Sequence, residues 1–200
     1  MKRTLQKTLC ILGLCAAASA HASVFDLPSF LPEGDFSVGA EAEIVTSTPT
    51  GAGINLKPKY GATSFLNWQG IIGLGSDSRA FRLGTTADFD WFPDTEGGQP
   101  GIATPINLLY YRAYDSGVLS YGFSPMIYKT FKGDSASYTP FIALPFGWNL
   151  RNGTNSSFMQ FAFGSMFKPS SMDSIKFTFE AGFEINQSFS YISGGVTWFP

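Results

Sequence analysis

The chain has 200 residues, of which 44% are hydrophobic and 16% aromatic, while only 14% are charged. This charged fraction is well below the roughly 25% of soluble domains, and the wealth of aromatic residues excludes an intrinsically disordered chain. The formal net charge of −2 leaves no excess of basic residues to neutralise phosphates, which excludes nucleic acid as a partner.

The start of the chain has the composition of a secretory signal peptide. Three basic residues lie within residues 1–7, an apolar stretch covers residues 9–18, and the small residues Ala20 and Ala22 flank His21. This pattern predicts a signal peptide over residues 1–22 that is cleaved after Ala22. Cleavage would remove both cysteines and the only histidine, so we expect no disulfide, thiol or imidazole in the exported protein.

After a predicted lead-in over residues 23–33, the dominant pattern is a two-residue alternation of apolar and polar side chains. In the clearest case, residues 175–185, bulky apolar side chains alternate with Lys176, Glu180 and Glu184. Successive side chains of a strand point to opposite faces, so each such segment predicts a strand with one apolar and one polar face. Turn-forming clusters separate ten segments, near 35–45, 54–61, 66–75, 79–92, 101–113, 118–131, 138–150, 157–167, 174–185 and 189–199.

Two features of this division stay open. Merging the second and third segments would lower the count, and a barrel of eight strands is the alternative to ten. The alternation is irregular in residues 101–113 and 118–131, which predicts a bulge or bend in each.

The alternation alone does not say which face is buried, but three further features favour a membrane protein over a soluble sandwich. The strands are longer than the usual five or six residues, and long enough to cross a bilayer when tilted. Polar faces carry glycines beside charges, as a crowded barrel interior requires. Aromatic residues gather near strand ends, as in the interfacial girdles of transmembrane barrels. The predicted interfacial aromatics are Trp91, Tyr110, Tyr128, Trp148, Trp198 and Phe199.

Together, the export signal, the alternating strands and the aromatic C-terminus resemble a small Gram-negative outer-membrane β-barrel protein. The last segment, residues 191–200, is similar to the C-terminal assembly signal of that family, with Gly194 and Phe199 at the matching spacing. The resemblance covers residues 34–200 and implies a closed antiparallel transmembrane β-barrel in the bacterial outer membrane. It also implies contact with outer-membrane lipid and passage through the outer-membrane assembly machinery.

In a barrel of this kind the polar faces line the lumen. Acidic and basic residues occur there together, which predicts paired charges that either stabilise the interior or line a narrow path for small solutes. The predicted lumen residues are Glu41, Glu43, Lys57, Lys59, Arg82, Asp88, Asp90, Lys176, Glu180 and Glu184.

The predicted mature chain lacks the residues that most enzymes of outer-membrane barrels use. Without histidine or cysteine it offers no Ser/His or Cys/His nucleophile and no zinc or copper site, so we expect no enzymatic activity, no cofactor and no metal. Asp88 and Asp90 could form an acid–base pair or bind calcium, but carboxylates that are solvated or paired with Arg82 are the simpler interpretation. We therefore expect a structural component or a narrow solute pore. The alternative is a soluble or surface β-barrel that binds an apolar ligand as lipocalins do, with an apolar interior.

Overall fold

The computed structural model describes residues 30–48, 50–95, 98–113 and 116–200. The predicted signal peptide and residues 23–29 of the predicted lead-in lie outside these ranges. No helix within them has the length and apolar character needed to cross a bilayer.

Strands make up most of the described chain, and their bounds agree closely with the alternating segments. One short 3-10 helix, Asp77–Arg79, lies between the third and fourth strands. The strands are β1 (Phe36–Val45), β2 (Gly51–Gly61), β3 (Leu66–Gly75), β4 (Phe81–Phe92), β5 (Gly101–Ala113), β6 (Ser116–Phe123), β7 (Met126–Tyr128), β8 (Phe131–Lys132), β9 (Ala136–Ala143), β10 (Phe146–Arg151), β11 (Thr154–Pro169), β12 (Ile175–Asn186) and β13 (Tyr191–Trp198).

The strands pair antiparallel with their neighbours, and the sheet closes on itself. The first strand pairs with the last, from Val38 opposite Trp198 to Val45 opposite Tyr191. Closure joins the two ends of the sheet, so the strands have hydrogen-bonded neighbours on both sides, apart from β8, whose described pairing is with β9 alone. The prediction of a closed antiparallel barrel is confirmed.

The thirteen strands of the described chain form ten spans, because two of the spans are interrupted. β6, β7 and β8 form one span, and β9 and β10 form the next. The breaks at Pro125 and Pro145 have a local cause, since proline has no backbone N–H to donate to a neighbouring strand. β5 keeps one register across the first break, with Ile106 opposite Phe123 and Ala103 opposite Met126. The prediction of ten spans is therefore confirmed against the alternative of eight.

The irregularity predicted within residues 118–131 is present as the break at Pro125, but the one predicted within residues 101–113 is wrong. β5 is a continuous strand with clean alternation of its inward and outward side chains. The bulge lies instead in the facing strand β4, between Asp90 and Phe92. The alternation of β5 looked irregular because its inward face includes the apolar side chains of Leu109 and Tyr111.

Antiparallel pairing gives the barrel two distinct ends. We call the end at which β1 begins and β13 finishes the proximal end, and the other the distal end. The described part of the lead-in folds into the proximal end, where the side chain of Leu31 is only 5% exposed. There Gly34 donates a backbone hydrogen bond of 2.9 Å to the carbonyl of Gly61. The carbonyl of Pro32 occupies the space that a Cβ atom at position 61 would need, which explains the glycine.

The two faces of the barrel wall have the distribution of a membrane protein. On β12, Phe177, Phe179 and Phe183 point outward and are 39%, 53% and 48% exposed, whereas Glu180 points inward and is 2% exposed. Other strands follow the same rule, with outward Ile, Leu and aromatic side chains and inward polar ones. A soluble barrel would show the opposite arrangement. The apolar interior expected of a lipocalin-like barrel is therefore wrong for this protein.

Candidate functional site: the barrel lumen

The structure brings the predicted lumen residues together in the interior, with differences at the two rims. Lys176 is half-buried near the proximal end, and Glu184 is exposed at the distal rim, where its carboxylate accepts a hydrogen bond from the backbone N–H of Ser188 at 3.4 Å. The remaining predicted residues are buried inside the barrel: Glu41, Glu43, Lys57, Lys59, Arg82, Asp88, Asp90 and Glu180.

At the distal end one carboxylate binds two guanidinium groups. Arg79 contacts Glu43 Oε1 through Nε at 2.8 Å and through Nη2 at 2.6 Å, and Arg82 Nη1 contacts Glu43 Oε2 at 2.6 Å. The guanidinium of Arg79 also lies 4.0 Å from the ring centroid of Phe189. Charge-assisted hydrogen bonds and a cation–π contact therefore tie the 3-10 helix and residue 189 to the barrel wall.

Arg79 is a lumen residue that the sequence reasoning missed. It lies in the 3-10 helix rather than in a strand, and its side chain enters the lumen from the connection between β3 and β4. A signal was present, because a strand through position 79 would put Arg79 on the same face as the outward residues Phe81 and Leu83. An arginine facing hydrocarbon is costly, so that conflict indicated a turn at this point.

The lumen contains two ion pairs between lysines of β2 and carboxylates of β1 and β4. Lys57 Nζ lies 2.6 Å from Glu41 Oε2, whose other oxygen accepts a hydrogen bond of 3.0 Å from Asn55 Nδ2. Lys59 Nζ lies 2.6 Å from Asp88 Oδ2. These charged groups are shielded from water, and removing a charge from water costs free energy. The attraction within each ion pair offsets part of that cost, which an isolated buried charge would bear in full.

Glu180 has a different partner. The hydroxyl of Tyr191 donates a short hydrogen bond to Glu180 Oε1, and Glu180 Oε2 has no hydrogen-bond partner among the described residues. Gly182, the next inward residue of β12, leaves room for the ring of Tyr191, which a Cβ atom there would overlap. Tyr191 thus fills the distal half of the lumen next to a carboxylate.

Tyr128, predicted to be an interfacial aromatic, faces the lumen instead. Its hydroxyl donates to the carboxylate of Asp90, with oxygen–oxygen distances of 3.0 and 3.1 Å. Its ring packs with Met126 and Phe141, and the ring of Phe30 from the lead-in lies 6.1 Å away between centroids. The prediction is wrong because a position near a strand end does not determine which face of the sheet a side chain takes. The alternation of β7 places Tyr128 on the inward face.

Phe199, also predicted to be interfacial, lies past the end of β13, and its ring contacts the ammonium of Lys176 at 4.3 Å from the centroid. It lines a cavity of about 360 Å³ at the proximal end, together with Phe30 and Lys168. A second cavity of about 380 Å³ also contacts Phe30, Lys168 and Lys176, so the two spaces adjoin. Phe199 belongs to this opening of the lumen rather than to the outer surface.

The other predicted interfacial aromatics, Trp91, Tyr110, Trp148 and Trp198, lie on the outer face and are exposed. The exposed Tyr and Trp side chains of the wall are not spread evenly. Around the proximal end they come from strands on all sides of the barrel, namely Tyr60, Trp68, Trp91, Tyr138 and Trp198. Near the distal end Tyr110, Tyr121 and Trp148 come from three adjacent strands, β5, β6 and β10.

One proximal connection is clamped by a lysine. Lys129 Nζ lies 2.7 Å from Asp94 Oδ1 and also donates to the backbone carbonyls of Thr95, Gly98 and Gln99. The backbone N–H of Thr130 donates to Asp94 Oδ2 at 2.8 Å. Burial raises the pKa of Asp94, but the hydrogen bonds from Lys129 and Thr130 outweigh it, so this pKa lies below its ordinary value.

Comparison with known proteins supports the fold but names no family. No protein-family model matches the sequence, and no curated protein resembles it. Among solved structures, the COG4313 outer membrane channel from Pseudomonas putida F1 aligns with a TM-score of 0.53 at 10% identity, over 88% of this chain and 99% of that chain. A de novo designed transmembrane β-barrel has a TM-score of 0.40 at 13% identity, over 86% of this chain and 100% of that chain.

Ail, the attachment invasion locus protein of Yersinia pestis, aligns with a TM-score of 0.31 at 12% identity, over 84% of this chain and 98% of that chain. The TM-scores of Ail and of the designed barrel are too low to support an argument. The closed wall, the apolar outer face and the likeness to the Pseudomonas channel define a transmembrane β-barrel of the outer-membrane type. Its described residues form a ten-span barrel with charged side chains buried in the lumen.

Proposed function

We propose that this protein is an integral barrel of the bacterial outer membrane whose lumen is sealed, and that it serves as a structural component of that membrane without enzymatic activity. The observation that carries the proposal is the distal cluster of Glu43, Arg79 and Arg82, closed over by Phe189. An aqueous pore needs charged groups that remain hydrated. In this cluster the three charged groups are buried and bound to one another.

Large apolar and aromatic side chains support a sealed lumen. Ile71, Leu109, Tyr111 and Val118 form a buried cluster on the inner wall, and Val45, Phe189 and Tyr191 form another. A barrel slightly above eight strands has an interior that side chains can fill. These clusters together with the ion pairs occupy the space that a solute would need.

A second candidate function, a narrow solute pore, is favoured by one specific observation. Arg79 of the distal cluster and Phe189, which covers it, both come from connections between strands rather than from the wall itself. Connections move more readily than paired strands. Displacement of the 3-10 helix would therefore open the distal end without disturbing the barrel.

Recordings from the refolded full-length protein in a planar bilayer test both proposals. Heat-modifiable migration on a gel confirms folding of each sample first. We expect no steady conductance from the wild type, and an open wild-type barrel would contradict the sealed lumen. Conductance that appears only in Arg79→Ala would identify a gated pore, and silence there would favour the structural role. Arg112→Ala, which removes an exposed arginine of β5, is the matched control.

The location is tested separately. If the protein resides in the outer membrane, it stays with the membrane fraction after carbonate extraction and separates with outer-membrane markers. Recovery as a soluble periplasmic protein would overturn the proposal. Cleavage after Ala22 is checked by the N-terminal sequence of the protein isolated from that fraction.

A further inference from the structure

Two lysines occupy neighbouring inward positions at the proximal end of the lumen. The pairing of β11 with β12 ends with Phe167 opposite Phe177, and the next residues toward the proximal end are Lys168 and Lys176. Both share the inward face of their strands with buried residues, Met166 and Glu180. Like charges at directly opposite positions of adjacent strands repel each other and destabilise the sheet.

Lys57 and Lys59 form ion pairs with buried carboxylates, whereas Lys168 and Lys176 have no such pair to offset their mutual repulsion. The ammonium of Lys176 contacts the ring of Phe199, and no carboxylate of the described residues forms an ion pair with it. Lys168 Nζ is 3.9 Å from Asp173 Oδ1, but that carboxylate belongs to a side chain that is 91% exposed. A pair of this kind contributes little, because water screens it.

Two of the carboxylates that line these cavities are already engaged. Asp90, which lines the second cavity, accepts the hydrogen bond of Tyr128. Asp94 is held by Lys129 and by the backbone of Thr130. Asp35 and Asp173 also line the first cavity, but both side chains are exposed to water, which screens their charge. Lys168 and Lys176 therefore have no buried carboxylate of the described residues as an ion-pair partner.

The space in front of the two lysines suits a molecule with an apolar body. The adjoining cavities of about 360 and 380 Å³ are both lined by Phe30, Lys168 and Lys176. Tyr128 and Met166 add an apolar wall on one side, and Phe199 adds one on the other. Ligand sites commonly combine apolar walls with a few charged groups that orient the ligand.

We propose that the proximal opening binds a small organic carboxylate. The carboxylate group lies between the ammonium groups of Lys168 and Lys176 and accepts a charge-assisted hydrogen bond from each. The apolar body of the ligand packs against Phe30 and Tyr128. This inference goes beyond the proposed function, because binding at the proximal end does not depend on whether the distal end conducts.

Calorimetric titration of the refolded full-length protein tests the site, in a zwitterionic detergent without phospholipid and at constant ionic strength. Benzoate is the probe, and acetate and inorganic phosphate are the comparisons. We expect benzoate to bind about tenfold or more tightly than acetate, because its ring leaves water on binding. Phosphate should bind no better than acetate.

Lys168→Gln and Lys176→Gln should each weaken benzoate binding at least about tenfold, since each removes one charge-assisted hydrogen bond. Lys132→Gln is the matched control, because Lys132 is an exposed lysine in β8 that lines neither cavity, and it should change binding less than about twofold. Benzoate binding that survives in both cavity variants would overturn the proposal.

Lys176→Glu gives a second, independent readout if a glutamine variant does not fold. Its carboxylate should pair with Lys168, which raises the melting temperature and abolishes benzoate binding together. A lower melting temperature in the folded variant would contradict the repulsion argument.

The last comparison repeats the titration in nanodiscs that contain the anionic lipid phosphatidylglycerol. If benzoate binding is lost only in this lipid, the site binds a lipid headgroup, which would overturn the proposal. Conductance of the wild type would contradict the sealed lumen and leave this result unaffected.

Discussion

Replacing Glu43 with glutamine removes one negative charge from a cluster that holds two guanidinium groups, with almost no change in side-chain size. The carboxylate of Glu43 contacts Arg79 and Arg82 at 2.6 Å each, and all three side chains are buried. Removing one partner from a buried ion pair costs about 3–5 kcal/mol, and this carboxylate serves two partners. We therefore expect the free energy of unfolding to fall by about 5 kcal/mol, at the upper end of that range.

The assay is reversible urea unfolding in lipid vesicles, followed by tryptophan fluorescence and by heat-modifiable migration. Arg79→Met provides the sharpest comparison, because it leaves Glu43 and Arg82 as a neutral pair. It should cost less than Glu43→Gln even though it removes a larger side chain and the contact with Phe189. Glu41→Gln should also cost less, since Glu41 faces a single lysine, Lys57. A loss below about 1 kcal/mol for Glu43→Gln, or a larger loss for Arg79→Met, would refute the electrostatic argument.

Three further predictions concern other parts of the barrel. Because the pKa of Asp94 is lowered in the folded protein, its bond to Lys129 stabilises the proximal connection above about pH 4 and is lost as the pH falls below that value. The hydrogen-exchange protection of Gly98 and Gln99, taken relative to the intrinsic exchange rate at each pH, should therefore fall there, and Asp94→Asn should abolish this pH dependence. Gly182→Ala should lower the free energy of unfolding by about 1–3 kcal/mol through overlap with Tyr191. Gly194→Ala, whose Cβ atom would make only an ordinary contact of 3.7 Å with the carbonyl oxygen of Thr178, should be nearly neutral in the same urea titration. All four tryptophans are exposed on the outer face, so brominated lipid chains should quench most of the native fluorescence, and unquenched emission would contradict the membrane placement.

The sequence allowed the barrel wall to be predicted because strand alternation is local. The phase of residues 175–185 placed Phe177 outward and Glu180 inward without knowledge of any other strand. Turn-forming residues likewise marked the ends of most spans. The breaks within two spans follow from single prolines, Pro125 and Pro145, which interrupt hydrogen bonding but not the path of the chain.

The contents of the lumen were harder to predict, because they depend on segments that have no period. Arg79 and Leu31 reach the interior from a connection and from the lead-in, where alternation says nothing about direction. The pairing of particular charges depends on the register between strands, which the pattern of one strand does not contain. The neighbouring positions of Lys168 and Lys176, for example, became apparent only from the pairing of β11 with β12.

The uneven placement of the outer Tyr and Trp side chains has a mechanical consequence for the barrel in its bilayer. Such side chains hold a protein at the level of the lipid headgroups. At the proximal end they surround the wall, so that end is held level within its leaflet. Among the described residues of the distal end they lie on the side formed by β5, β6 and β10, while the opposite side presents residues such as Ile44 and Ile185, which favour the hydrocarbon. The barrel axis therefore tilts away from the bilayer normal, and the unanchored distal rim sinks deeper into the membrane.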